Sequence, residues 1–480
     1  MLREIAYSFA GLVLLAYAAE WALTLFDDPR EPQRVQPLVP LIGHLLGMIQ
    51  KGTAYYSDTS NKTNAEIYTL SIGRTKLYIA KTRRLTPMIQ KSHKTLSFRP
   101  FMQTASKIMG DVTDETYALF GTDMVDDLSH GVKIALGPGQ FLDKQNLRMG
   151  KCVMSDIDDL VRSGTNKTLL LEWTRHAVVQ ASSCAYLPSH MVGMDLTRKG
   201  YAAREVVFQA FRQYCSHVPD DSSEIFLSRT RVMREAGVCE EDICKQQATF
   251  GTAAFANTAP ALYWATYELF SRPEVLEEVR AQVAEHAVSG SKESGFKLNV
   301  SALKTKCPLL LSVFQETQRT RHMHANIRKV TADTLLDGKY LLKAGNFVQM
   351  PGNPIHTNPE IWGDTVDVFD PYRFVPKDDR KPILPSGFLA WGAPPHLCPA
   401  RQFAATEILI VLASLAMRVD MAPAAMGRWE RNPAVNVGDM VTIYNPKKDV
   451  QVEVREREAW AGDWALEMGD SKTRVSLASG

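Results

Sequence analysis

Phe388-Leu389-Ala390-Trp391-Gly392-Ala393-Pro394-Pro395-His396-Leu397-Cys398-Pro399-Ala400-Arg401 is the stretch on which the reading of this chain turns. A cysteine closes a loop rich in glycine and proline, and an amphipathic helix follows from about Pro399 to Arg418. Proline suits a first helical position, where the N–H it lacks would be unpaired anyway. The start of a helix offers free N–H groups and partial positive charge, and both stabilise a thiolate. A thiolate is an electron-rich axial ligand for iron. Read alone, Cys398 is equally a buried structural thiol, the ordinary fate of a cysteine.

Three other segments carry chemistry. In Glu316-Thr317-Gln318-Arg319 the carboxylate and guanidinium sit at i and i+3 of a helix and so share a face. Such a pair by itself is commonly a solvated surface contact. Phe369-Asp370-Pro371-Tyr372-Arg373-Phe374 lies upstream of Cys398, and Arg373 there can complete a three-member network with Glu316 and Arg319. A buried network of this kind fixes geometry more than it adds stability. Alone, the segment is an ordinary turn. Ala254-Phe255-Ala256-Asn257-Thr258-Ala259-Pro260 falls inside a long apolar helix. Pro260 removes a backbone donor and opens the helix one turn earlier, leaving Asn257 and Thr258 as polar groups at a loosened point. That notch suits a water or dioxygen; equally, it is a kinked core helix whose hydroxyl bonds back to the preceding turn.

The remainder sets the frame. The 480 residues are 45% hydrophobic, enough for a large core, and the net charge of +2 gives no field that would favour nucleic acid. Seven cysteines at irregular spacing do not form a disulfide framework, and none has zinc-knuckle spacing. A reducing compartment fits the folded part. Ile5–Phe26 has one charge, Glu20, and is long enough to span a bilayer. Without a small-residue cleavage site it reads as a retained anchor, with a buried core helix as the alternative. Mixed flanking charges leave its orientation open. Pro37-Leu38-Val39-Pro40-Leu41-Ile42-Gly43-His44 reads as a stiff hinge. The expected organisation is an anchor over 1–26, a proline-rich hinge over 27–48 and a catalytic domain over 49–480. Ile67–Ile72 and Lys76–Ala80 flank Gly73-Arg74-Thr75 as a hairpin. Residues 84–320 read mostly as helix, with Pro260–His286 as one clear helix, and 326–350 as short strands. The fold class is mainly α with small β-sheets.

Order and spacing together make the chain resemble the cytochromes P450. Trp391, Gly392, His396 and Cys398 match the family's heme loop. Glu316 and Arg319 match its helix pair, and Phe369, Pro371, Arg373 and Phe374 match the loop completing the network. His356-Thr357-Asn358-Pro359 resembles the segment just upstream, and Asn257 and Thr258 occupy the oxygen-activation notch. The resemblance implies a cytochrome P450 fold preceded by one N-terminal transmembrane helix, with heme b (iron-protoporphyrin IX) as cofactor and Cys398 as the metal ligand. Thr258 and Asn257 become catalytic candidates. Trp391 and His396 become heme-binding, with Arg328, Arg148 and Lys144 as propionate candidates. Asn-Thr-x-Pro with Trp-Gly and Cys-Pro is similar to the branch of cholesterol 7α-hydroxylase and prostacyclin synthase.

The sequence also departs from the family pattern. Pro394 and Ala400 replace glycines, the Trp-x-x-x-Arg propionate clamp is missing, and Asn257 stands where most monooxygenases have a carboxylate. The implied distal pocket runs through Phe98–Phe120, Phe250–Thr258, His324–Ile327 and Val441–Tyr444. Phe101, Met102, Met109, Phe120 and Phe255 make its lining apolar, though such residues are equally core. The implied activity is oxygen insertion into a lipophilic terpenoid, sterol, polyketide or alkaloid in a biosynthetic pathway. NADPH–cytochrome P450 reductase is the implied electron donor. The implied location is the endoplasmic reticulum membrane, with the catalytic domain on the cytosolic side. A heme-thiolate isomerase or dehydratase working without reductase, and a non-catalytic membrane-tethered heme-binding protein, are the alternatives.

Overall fold

Two helices are apolar nearly all round: Thr258–Phe270 and Arg401–Arg418. Helices without a polar face must be surrounded by protein. Every residue of the first is buried, and every residue of the second except Arg401 and Ala404. They centre the largest apolar cluster, joined by Leu309, Val313 and Phe314 of helix Pro308–Arg321 and by Met149, Val153 and Ile157 of helix Gln140–Arg162. The computed structural model describes residues 2–162, 167–182, 198–323, 325–378, 383–393, 396–425, 427–437 and 442–480.

Proline sets where the helices stop. Helix Glu240–Phe255 ends and the next begins at Thr258, so the break expected from Pro260 falls at Ala256-Asn257. The single helix expected over Pro260–His286 is in fact two, Thr258–Phe270 and Pro273–His286. Arg272 sits at φ −127, ψ 84, outside the helical region, because the ring of Pro273 crowds it. The final helix starts at Arg401 rather than Pro399, with Pro399 and Ala400 in a turn. The helical stretch 84–320 is interrupted by strands Lys167–Leu169, Val288–Ser291 and Gly295–Asn299.

The hairpin forms as read. Ile67–Ile72 pairs antiparallel with Thr75–Ala80 through Gly73-Arg74. Phe347–Pro351 then adds parallel to Thr75–Ala80, and Ala325–Val330 and Leu96–Ser97 follow antiparallel. This five-stranded sheet carries Arg328 on an inner strand.

The N-terminus requires a correction. Helix Leu2–Thr24 forms over the expected span, but no helix of the described residues is long and apolar enough to cross a membrane. Glu20 is the one charge in that span. It is buried, and its carboxylate accepts the Leu41 N–H at 2.7 Å, tying the helix end to the segment that follows. An ionisable side chain is costly in lipid and is here used within the protein. The proline-rich stretch is bonded to the hairpin. Val35 N–H donates to Thr69 O (3.0 Å), Thr69 N–H to Gln33 O (2.9 Å), and Arg34 Nη1 to Ser71 Oγ (2.7 Å). Its last residues belong to helix Gly43–Lys51.

Candidate active site

The cysteine loop is built from the backbone outward. Gly392-Ala393 pairs antiparallel with His396-Leu397 immediately before Cys398. Gly392 has φ +88, and a Cβ there would stand 2.9 Å from His396 O, so a side chain would block the hairpin. Cys398 N–H donates to Trp391 O at 2.8 Å. The cysteine lies deep but is only half-buried, so the protein does not pack over it completely. Burial pushes its thiol up, while the Ala400 backbone N–H on the sulfur and the Arg401 charge pull it down. The last two act on the thiolate, as expected at a helix start.

Beside the loop stand buried donors with no acceptor among the described residues: Arg328 Nη2, Trp391 Nε1 and Asn326 Nδ2. Buried polar groups are ordinarily paired. Arg328 is 3% exposed and its Nη1 reaches only Ile327 O (2.8 Å). Burial lowers the guanidinium to about 10. Its charge lies 5.4 Å from the centre of the Phe98 ring, which is 5.6 Å from His396 and 5.9 Å from Phe101. Burial first, then Arg328, lowers His396 to about 4, so it is neutral at pH 7. A cysteine at a helix start with buried donors near it that find no acceptor among the described residues fits a flat iron cofactor carrying carboxylates. Among the described residues no three His, Cys, Asp or Glu side chains converge as a metal site.

The predicted network closes. Glu316 is fully buried. Arg319 donates to it twice (Nε–Oε2 2.7 Å, Nη2–Oε1 2.8 Å), and Arg373 Nε lies 3.0 and 3.1 Å from its two oxygens. Asp370 N–H adds a fourth donor at 3.0 Å. Arg373 also donates to Trp362 O and Thr365 O, and Arg319 Nη1 to His356 O (2.8 Å). His356 carries the network to the cysteine loop, because its Nε2 accepts the Leu389 N–H at 2.9 Å. The ring also stacks on Phe388, with centroids 5.5 Å apart.

Burial first, then Arg319, lowers His356 from 6.5 to about 3. Between those values the unfolded chain binds the extra proton, so stability rises with pH and falls on acidification through the window. His356→Gln, which keeps an acceptor but does not titrate, is expected to flatten that part of the stability curve. The check is the melting temperature of both proteins from pH 7 to pH 4; parallel curves would exclude His356 as a contributor.

Other candidates fall elsewhere. Arg148 is half-exposed and pairs with Asp221 Oδ2 at 2.8 Å, and Lys144 is exposed; neither joins Arg328, which corrects their propionate assignment. Both lie on the outer face of a helix whose inner face packs on the core. Phe101 does stand beside Phe98 and Phe347. Met102 and Phe120 pack instead with Met124, Val125, Leu128, Met233 and Ile243, the core use of such residues. Thr258 is buried and Asn257 half-buried at the helix break. The side chain of Phe255, together with His324 and Val441, lies outside the described residues. Phe98 and Asn326 fall within the stretches expected to line the distal pocket, Phe98–Phe120 and His324–Ile327, but neither was singled out, and the ring role of His356 was not anticipated. His356 gave a signal through the segment His356–Pro359.

A cysteine at the head of a buried helix, locked to a Glu–Arg–Arg network and flanked by unpaired donors, is the arrangement of a heme-thiolate protein. A family model described as Cytochrome P450 matches residues 202–428. The chain is 30% identical to the cytochrome P450 monooxygenase nodJ of Hypoxylon pulicicidum over 502 positions, covering 96% of each. It is 24% identical to a cytochrome P450 monooxygenase of Gibberella zeae, covering 92% of each. It is 22% identical to the cytochrome P450 monooxygenase poxD of Penicillium oxalicum, covering 88% of this chain and 93% of that one. The chain belongs to the cytochrome P450 family. It is a heme-thiolate monooxygenase, with iron-protoporphyrin IX as cofactor, a redox partner as electron source and a lipophilic substrate.

Proposed function

We propose that Cys398 would supply the thiolate ligand to the heme iron of this monooxygenase, and that the enzyme oxidises a terpenoid, sterol, polyketide or alkaloid skeleton in a biosynthetic pathway. NADPH–cytochrome P450 reductase is the proposed electron donor. The observation that carries the ligand assignment is the half-buried Cys398 beside the unpaired buried donors of Arg328, Trp391 and Asn326. Heme bound there supplies one-electron and oxygen chemistry, and a thiolate ligand favours O–O cleavage. With heme bound, Arg328 would hold a propionate by charge-assisted hydrogen bonds, with neutral His396 and Asn326 available beside it. The Ala400 N–H and Arg401 favour the thiolate against burial, which raises the thiol overall, and a bound iron would complete its ionisation. The hydroxyl of Thr258, at the broken helix, holds a water and passes its proton inward, while Asn257 orients that water without ionising.

The test is the reduced carbon monoxide difference spectrum of the wild type and Cys398→Ser, together with substrate turnover under NADPH, oxygen and reductase. The wild type is expected to show the thiolate-type band and the variant to lose it along with turnover. A variant that keeps the band overturns the ligand assignment. Turnover that proceeds without reductase or oxygen overturns the electron path.

The apolar side chains of Trp21, Leu25, Phe26, Leu38, Ile42 and Ile49 are exposed on the N-terminal segment. An exposed apolar group of this extent supports a surface that rests in the membrane–water interface. We place it on the endoplasmic reticulum with the catalytic domain on the cytosolic side. Leu38→Asp with Ile42→Asp is expected to release the protein from microsomes into the supernatant; retention of the double variant would remove this surface from the membrane contact.

A further inference from the structure

Residues 473–480 run past the start of helix Arg401–Arg418 with Val475, Leu477 and Ser479 buried and Arg474, Ser476 and Gly480 exposed. The alternation is that of a strand. Its hydrogen bonds to the helices beside it, however, run to side chains. Gln402 grips Val475 at both backbone groups: Val475 N–H donates to Oε1 (2.8 Å), and Nε2 donates to Val475 O (3.1 Å). Ala478 N–H donates to Gln315 Oε1 at 2.7 Å. Gly480 O accepts Arg401 Nε at 3.0 Å, and Arg401 Nη1 reaches Cys398 O at 3.3 Å. Ala478 also packs on the cluster of Trp362, Val366, Phe388 and Ala390.

These contacts converge on the parts that hold the cysteine. Gln315 precedes Glu316, Arg401 and Gln402 follow Cys398 by one turn, and Phe388 opens the loop. Both glutamines are buried, at 3% and 8% exposure. A buried amide is costly unless bonded, and an apolar side chain would fill either place. The amides are accounted for if the segment they bind has to stay in register.

We propose that residues 473–480 are a strap that positions the Cys398 loop, with Gln402 and Gln315 as its anchoring residues and Arg401 as the link from strap to ligand. The proposal rests on Cys398 being the axial ligand. The strap fixes Arg401 and the first turn of the helix, and these set how the sulfur and its hydrogen bonds are presented. Partners one step removed from a ligand orient it and tune what it binds.

The experiment uses heme-loaded protein in four forms: parent, Gln402→Met, a chain ending at Arg474, and both changes combined. Gln402→Met keeps the volume and removes both bonds to Val475. The measurements are the iron–sulfur stretching vibration of the ferric protein by resonance Raman, the rate of heme loss to an excess of scavenging apo-globin, and the melting temperature. Each single change is expected to shift the vibration in the same direction and to speed heme loss about tenfold, the lower range for outer partners of a metal ligand. The combined change should add nothing to either. Folded variants that lose melting temperature but keep the parent vibration and heme-loss rate overturn the strap. Where the shortened chain does not fold, Gln402→Met decides alone. A parent without an iron–sulfur vibration removes the Cys398 assignment and the strap with it, whereas a parent vibration untouched in the variants removes the strap only.

Discussion

Glu316→Ala is expected to abolish recovery of folded, heme-loaded enzyme. Glu316 is fully buried and, among the described residues, is the carboxylate that pairs with both Arg319 and Arg373. Those guanidiniums are themselves 2% and 6% exposed, and they also donate to the neutral carbonyls of His356, Trp362 and Thr365. Removing one partner of a buried pair costs about 3–5 kcal/mol, because the survivor keeps its charge without compensation. Here two survivors are stranded, and the Asp370 N–H also loses its acceptor. Total stability of a folded chain is only about 5–15 kcal/mol, so one substitution consumes a large part of it. Glu316→Gln keeps two bonding atoms and loses the charge, and should fall between the parent and Glu316→Ala. Soluble yield and the carbon monoxide difference spectrum read the outcome. A Glu316→Ala protein that loads heme and melts within a few degrees of the parent would show that the network is dispensable.

That network was readable because its parts are local. Glu316 and Arg319 stand at helical spacing, and Arg373 follows a proline in an aromatic loop. Its burial was not readable, since the same spacing occurs on solvated helices. The break at Ala256-Asn257 followed from Pro260, yet the one before Pro273 was missed because the apolar pattern continues through Ser271-Arg272. Arg328 could not be ranked above Arg148 and Lys144 from sequence. What separates them is which strand or helix face is turned inward, and that depends on pairing between strands 270 residues apart, such as Phe347↔Leu77. In the sequence Glu20 leaves a span and a buried helix both open; its bond to Leu41 comes from the chain turning back after the helix. The tail at 473–480 gave no signal at all. Its register is held by glutamines from two distant helices, and two buried apolar residues are too few to mark a strand.

Arg328→Met is expected to move the two forms of the protein in opposite directions. In the protein without cofactor, Arg328 is a buried charge that among the described residues donates to the Ile327 carbonyl while its Nη2 has no acceptor, and burial already lowers it to about 10. Methionine keeps much of the stem and leaves no charge to desolvate. Replacing buried ionic groups by apolar ones of similar volume stabilises by about 1–4 kcal/mol in favourable cases, so the apoprotein should melt higher. With heme bound, the same guanidinium gains a carboxylate, and a hydrogen bond to a charged group is worth about 1.5–3 kcal/mol. Its loss lowers heme affinity about tenfold to a hundredfold, given that 1.4 kcal/mol is a factor of ten. Calorimetry of the apoprotein and competitive heme titration measure the two effects separately. A variant that is more stable without heme yet binds heme as tightly as the parent would show that Arg328 is an uncompensated buried charge and that the propionate has another partner. A variant weaker in both respects would show that the guanidinium is already paired in the apoprotein, and that its unpaired Nη2 is not the mark of a carboxylate site.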